Sequence, residues 1–217
     1  MKIEASFITS VASVHDFPRD TLAEIALVGR SNVGKSSLIN ALTRQKLART
    51  SAEPGKTRLA NVYRIARGTH PAFHLVDLPG YGYARRARSA GQRAQGEEPA
   101  FDEIARAAFV RRPAVLLLVD ARHPGLESDR AAWTWVAGAA AGAAVVATKI
   151  DKLARGERIR AMRQLESVFD APVVPVSAAT GEGMDQLWNL IDSLANRPSR
   201  NRPPQSRTAP AAPRRKK

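Results

Sequence analysis

No cysteine occurs among the 217 residues of the chain, so disulfides are excluded, and a reducing, cytoplasmic compartment suits the sequence. Long apolar runs are also missing. The most apolar stretch, Ala137 to Ala147, falls short of the roughly 20 residues that a bilayer-spanning helix needs. Met1 to Phe7 place no apolar segment behind their charge, so no secretory signal is expected. His70, His74 and His123 lack the spacing of a metal set, and a zinc centre is not expected. Acidic and aromatic side chains are both absent from Arg197 to Lys217, which carries eight basic residues and five prolines.

That last composition reads as a disordered basic arm. The net charge is +14; the arm's eight positive charges leave +6 to the rest, where Arg85, Arg86, Arg88 and Arg93 load one segment. An exposed polycation gains counterion-release energy on a polyphosphate, so nucleic acid is the expected partner of this charge. Without aromatics for base stacking, the arm would supply affinity and little sequence choice. An anionic membrane surface is the alternative, although the arm has no apolar anchor. With 44% hydrophobic residues, the length allows one domain and extensions, and not two domains.

The most informative stretch runs from Gly29 to Leu38, Gly-Arg-Ser-Asn-Val-Gly-Lys-Ser-Ser-Leu. Gly29, Arg30, Ser31, Asn32, Val33, Gly34, Lys35, Ser36 and Ser37 fit G-x-x-x-x-G-K-[S/T], the phosphate-binding loop. Glu24 to Val28 reads as a short buried strand before it, and Leu38, Ile39 and Leu42 take helical spacing after it. Strand, glycine loop and helix start make a nest of backbone N–H groups at the positive end of a helix dipole. Lys35 would supply a charge for the β- and γ-phosphates, and the Ser36 hydroxyl a ligand for Mg²⁺.

A phosphate loop does not choose between ATP and GTP. Thr148-Lys149-Ile150-Asp151 fits the [N/T]-K-x-D element: the Asp151 carboxylate would accept from the guanine ring N–H and amine, and Lys149 would cover the ring face. Adenine would leave that carboxylate unpaired, a mismatch that can cost on the order of 10⁴ in discrimination. Asp77-Leu78-Pro79-Gly80 fits D-x-x-G, with Asp77 holding Mg²⁺ through water and the Gly80 N–H on the γ-phosphate. Gly55, Lys56, Thr57, Arg58 and Leu59 stand in and at the end of the long irregular stretch between the first helix and the second strand; Thr57 can there close on the γ-phosphate and the metal as a switch residue. Val176, Ser177 and Ala178 end a further strand, and their backbone could hold the guanine O6.

Gly29 to Ser37, Pro54-Gly55-Lys56-Thr57, Asp77-Leu78-Pro79-Gly80-Tyr81-Gly82, Thr148-Lys149-Ile150-Asp151-Lys152 and Asp120-Ala121-Arg122-His123-Pro124 together resemble the EngB (YihA/YsxC) family of small bacterial GTPases, from about Ala5 to Ala195. Arg58 departs from the glutamine frequent in the family after the switch threonine. The resemblance implies a slow GTP-hydrolysing switch, monomeric, acting on the assembling large ribosomal subunit or its rRNA and associated with cell division and septation. A membrane- or division-site scaffold that uses GTP to hold its shape is the alternative from another class. Related bacterial GTPases use an asparagine at the Asn32 position to help bind K⁺, which makes K⁺ a second candidate cofactor; backbone capping is the other role open to Asn32. Tyr81 stands where Ras-like GTPases carry the glutamine that orients water. A phenol cannot reproduce the amide geometry, so intrinsic turnover should be on the order of 10⁻⁴–10⁻³ s⁻¹, as in unaided Ras, and no catalytic residue is assigned.

The expected architecture is a three-layer α/β fold of the P-loop GTPase (Ras-like) type, a six-stranded, mostly parallel sheet with helices on both faces. Strands are predicted near Glu24–Val28, Leu59–Ile65, Ala72–Val76, Ala114–Val119, Ala143–Ala147 and Val173–Val176. Helices are predicted near Lys35–Thr43, Phe101–Arg111, Asp129–Ala139, Glu157–Phe169 and Met184–Ala195. The strand after the switch should run antiparallel at an edge. Residues 1–22 form an extension packed on the domain, 23–196 the nucleotide-binding domain and 197–217 the disordered basic tail. Trp188, with Leu187 and Ile191, marks a packing face, and at least one of Trp133 and Trp135 should lie in the core.

Overall fold

A computed structural model describes residues 1–49, 59–81 and 103–196. Seven strands form a single sheet: β1 (Ile3–Val11), β2 (Ala23–Gly29), β3 (Ala60–Arg67), β4 (Phe73–Asp77), β5 (Ala114–Asp120), β6 (Gly142–Thr148) and β7 (Val173–Pro175). They lie in the order β1-β3-β4-β2-β5-β6-β7. From β4 through β7 every pairing is parallel, whereas β3 is antiparallel to both of its neighbours. The helices are α1 (Lys35–Thr43), α2 (Glu103–Val110), α3 (Glu127–Ala139), α4 (Arg155–Phe169) and α5 (Met184–Ala195).

The six expected strands and five expected helices are present, and the fold is the expected three-layer α/β arrangement. The sheet has one strand more. Residues 3–11, expected only to pack on the domain, form β1 and pair with β3 from Ile3↔Arg67 to Val11↔Ala60. This displaces β3 from the edge where the sequence put it. The register of β1 shifts between Phe7 and Thr9, and the bulge leaves Phe7 and Ile8 both exposed. A bulge on a free edge twists it and discourages pairing with another chain.

Alternation along the strands builds two apolar layers. Ile25, Leu27, Leu116 and Leu118 point to one face and pack with Leu38, Ile39 and Leu42 of α1 and Leu187, Trp188, Ile191 and Leu194 of α5. Ala26, Val28, Val115, Leu117 and Val119 point to the other and meet α2, α3 and α4. The central strands are buried on both faces, which is why they read as continuous apolar runs. Trp135 stacks edge-on to Phe109 at 4.2 Å and Trp133 to Phe169 at 6.0 Å, so both tryptophans join the packing. His74 is buried, its Nε2 3.4 Å from Asp20. Among the described residues no helix is long and apolar enough to cross a membrane.

The order carries one reversal. From β2 the chain moves outward to β3, comes back to β4 beside β2, then crosses to the far side of β2 as β5. In such sheets, ligands lie at the carboxyl ends of the strands beside the reversal. The chain segments that follow β2, β4, β5, β6 and β7 therefore share one edge of the molecule.

Candidate nucleotide site

The glycine loop joins β2 to α1 as the sequence predicted. Gly34 caps the helix with φ 111°, a left-handed conformation that an L side chain would strain. Asn32 takes φ 62°, and its backbone carbonyl accepts the Lys149 ammonium at 2.6 Å. Lys35 Nζ reaches back to the Gly29 carbonyl at 3.4 Å. Burial lowers the Lys35 pKa, with the Asp77 charge opposing that effect. The same burial pushes Asp77 up to about 6, with Lys35 pulling it down. Asp77 is buried at the end of β4, and its Oδ1 has no hydrogen-bond partner among the described residues.

An orphaned, buried carboxylate oxygen beside a lysine and at the mouth of an N–H nest fits a hard divalent cation with phosphate next to it. No group of three or more metal-binding side chains occurs among the described residues. Mg²⁺ keeps several waters and takes phosphate oxygens with one or two protein ligands. Ser36, in the first turn of α1, lies on the same side of the sheet edge.

The loops after β6 and β7 are cross-braced. The Thr148 hydroxyl donates to the Val33 carbonyl at 2.8 Å, bonding the end of β6 to the phosphate loop, and lies 3.1 Å from the Val119 carbonyl. Lys149 takes φ 61°, and its ammonium bridges Asn32 to Asp120 Oδ2 at 2.9 Å. The Ser177 hydroxyl donates to Asp151 Oδ1 at 2.7 Å and accepts the backbone N–H of Ala179 and Thr180. Its bond to Asp151 is the largest of the effects that hold that carboxyl below the usual range. Asp151 therefore stays a charged acceptor at neutral pH. Ile150, at the turn, is buried beneath these loops, as is Val176.

Asp120 was not among the predicted site residues. It ends β5 at the shared edge, and its position there was the available signal. Burial would raise its pKa, but hydrogen bonds from Arg122 and Lys149 outweigh this and hold it well below the usual range. A second unforeseen residue is Asp129, in the first turn of α3. Its Oδ1 accepts the Tyr81 hydroxyl at 2.8 Å and lies 3.0 Å from Arg30 Nε. In sequence it is indistinguishable from an ordinary acidic residue at a helix N-terminus.

Tyr81 is accordingly turned into the core, 4% exposed, with its phenol on α3. The backbone of Arg30 belongs to the phosphate loop, while its side chain turns toward Asp129. Gly55, Lys56, Thr57 and Arg58 lie outside the described residues, as do the basic residues from Arg85 to Arg93 and from Arg197 onward. Leu59 is exposed at 40%, just before β3.

Comparison with known proteins decides the family. The sequence model of a family described as "50S ribosome-binding GTPase" matches residues 24–149. The probable GTP-binding protein EngB of Heliobacterium modesticaldum is 43% identical over 202 residues, covering 90% of this chain and 95% of that protein. The chain belongs to the EngB family of GTP-binding proteins. The EngB of Alkaliphilus metalliredigens is 39% identical over 203 residues, with 89% and 92% of the two chains covered.

Solved structures agree in fold. Era of Aquifex aeolicus aligns with a TM-score of 0.66 at 23% identity, over 81% of this chain and 57% of that one. A probable EngB structure aligns at 0.54 and 21%, over 80% and 98%. As an EngB-family member with the complete sheet of a P-loop GTPase, the protein is a GTPase, hydrolysing GTP to GDP and phosphate.

Proposed function

We propose that the protein is a slow, Mg²⁺-dependent GTP switch acting in assembly of the large ribosomal subunit, and needed through it for normal cell division and septation. One observation carries the nucleotide part of this reading: Lys149 and Thr148, from the guanine-type loop, bond directly to Asn32 and Val33 of the phosphate loop. Base and phosphate positions are thereby held as one unit. Residues 29–37 would wrap the phosphates, Lys35 would neutralise them, and Ser36, Thr57 and, through water, Asp77 would hold Mg²⁺. The cation would shield phosphate charge and fix the γ-phosphate. Asp151 would read the base, Lys149 would cover its face, and the Ser177–Ala178 backbone would take its O6. Gly55 to Leu59 and Leu78 to Gly80 would close on the γ-phosphate.

The ribosomal part is supported by the description of the matching family and by the +14 net charge, which suits a polyanion. A cytoplasmic monomer fits this role. The Tyr81 hydroxyl donates to Asp129 within the core, which supports slow intrinsic turnover awaiting a partner. K⁺ stays a candidate at Asn32: stimulation by K⁺ over Na⁺ that vanishes in Asn32→Ala would establish it.

Pelleting with ribosomal particles tests the whole reading. The protein should co-sediment with large-subunit precursors more strongly in a non-hydrolysable GTP analogue than in GDP. Binding to anionic vesicles with no ribosomal co-sedimentation would favour a membrane-site scaffold instead.

A further inference from the structure

One buried carboxylate outside the nucleotide loops is engaged by two of them. Asp129 is 1% exposed. It receives the Tyr81 hydroxyl at 2.8 Å and sits 3.0 Å from Arg30 Nε. Arg30 belongs to the phosphate loop and Tyr81 directly follows D-x-x-G. Two loops that face the phosphate position therefore converge on a side chain from α3. Their backbones meet as well: Arg30 and Tyr81 form an isolated parallel bridge. Gly80 approaches so closely that an added Cβ would lie 2.8 Å from the Ser31 nitrogen and 2.9 Å from its Oγ.

The trio is a poor device for stability alone. The Arg30–Asp129 pair is close but off the hydrogen-bonding axis, and Asp129 Oδ2 has no hydrogen-bond partner among the described residues. Burying a charge so incompletely satisfied is unfavourable compared with apolar packing of the same volume. A benefit other than folding is needed to account for it.

We propose that Asp129 is a positioning residue that, through Tyr81 and Arg30, holds the D-x-x-G loop closed on the phosphate loop. This rests on the GTPase reading above. In that reading only the γ-phosphate reaches Gly80, while GDP touches the phosphate loop and the guanine loops. An interaction that favours the closed arrangement therefore raises affinity for the triphosphate and leaves the diphosphate unaffected. The link also runs outward, since a change in the γ-phosphate position is transmitted to α3 through Tyr81.

Equilibrium titration of the full-length chain with fluorescent GDP and a fluorescent non-hydrolysable GTP analogue, in excess Mg²⁺, tests this. Tyr81→Phe removes one hydroxyl and leaves Arg30 untouched; analogue affinity should fall three- to thirtyfold and GDP affinity stay within twofold. Asp129→Asn should act in the same direction. The double variant should be no more than twofold worse than the weaker single one, because both cut the same link. Glu127→Gln, on the same turn of α3, should change neither affinity. If Asp129→Asn fails to fold, Tyr81→Phe decides alone. An unchanged analogue-to-GDP ratio, with or without a lower Tm, overturns the proposal and leaves Asp129 a packing residue. A parent protein that binds neither guanine nucleotide would sink the underlying reading instead, and the clamp with it.

Discussion

At Asp151 the Ser177 hydroxyl occupies Oδ1 and the Lys152 ammonium stands 3.4 Å from Oδ2. The carboxylate is held and charged in the absence of any base, so in the proposed site base choice would fall on a single pre-set acceptor. Asp151→Asn should lose GTP affinity by on the order of 10³-fold or more. It should gain affinity for xanthosine triphosphate, whose base has an oxygen where guanine has an amine. Competition titration of the two nucleotides checks this, and unaltered GTP binding would remove Asp151 from the base site. Asp77 presents the opposite case, a carboxyl whose ionised form the fold by itself disfavours. Its folded pKa of about 6 lies above the ordinary value near 3.9. The stability linked to its protonation is thus complete below the ordinary value and is lost as pH rises through the folded one. In EDTA and without nucleotide, Asp77→Asn should therefore be more stable than the parent at pH 7.5, by up to roughly 3 kcal/mol at about 1.4 kcal/mol per pKa unit. The difference should shrink as pH falls through about 6, to roughly half by about pH 5, and close only below about pH 4. The same variant should lose Mg²⁺-dependent GTP binding. Thermal unfolding across this pH range, with a Mg²⁺ titration beside it, separates the two effects; a variant less stable than the parent at pH 7.5 would contradict the burial argument.

The loop that carries Ser177 owes its shape to the start of α5. Gly183 takes φ 78°, and an added Cβ would lie 2.0 Å from the Pro175 carbonyl oxygen, so neither the conformation nor the space admits a side chain. Gly183→Ala should lower stability by on the order of 2–4 kcal/mol and weaken guanine nucleotide binding by displacing residues 177–182. A measured change below about 0.5 kcal/mol would show that the loop yields freely. Such local geometry was not readable in the sequence, where Gly181 and Gly183 look like any loop glycines. The double-sided burial of β2, β5 and β6 was readable, because it leaves unbroken runs such as Ala114 to Val119. The helix faces of α1 and α5 were equally plain from Leu38, Ile39 and Leu42 and from Leu187, Trp188 and Ile191. Strand β1 was missed for a physical reason. Its exposure pattern is broken by the bulge at Phe7–Thr9, so no clean two-residue alternation appears. The glycine loop, the D-x-x-G element and Thr148 to Asp151 carry fixed spacings and were legible as a site. Asp129 was not, since it acts through a partner far off in sequence, Tyr81; Asp120 stood out only within the Asp120–Pro124 segment, not in its hold on Lys149.

Across the whole molecule, the segment from β5 to α3 ties the two halves of the site together. Asp120 at its start holds Lys149, and Asp129 near its end holds Tyr81 and faces Arg30. The helical face of the domain would thereby be connected to both the proposed base and phosphate positions. The basic arm stands apart from this network. Arg197 to Lys217 holds eight positive charges and none of the nucleotide motifs, and α5 ends at Ala195 with its buried face complete. Deleting residues 197–217 should therefore leave GTP affinity and intrinsic hydrolysis close to those of the full chain. Binding to ribosomal particles or RNA should weaken, and the slope of log affinity against log salt should flatten by up to roughly 0.7 for each phosphate that the arm no longer neutralises. The dependence on nucleotide state should survive, because the deletion leaves every proposed nucleotide motif, from Gly29 to Ala178, in place. Particle-binding titrations at several salt concentrations, with both nucleotides and both chain lengths, measure these together. An unaltered slope would make the arm a passive extension and place the polyanion-binding surface on the domain, with the basic residues from Arg85 to Arg93 as the next to substitute.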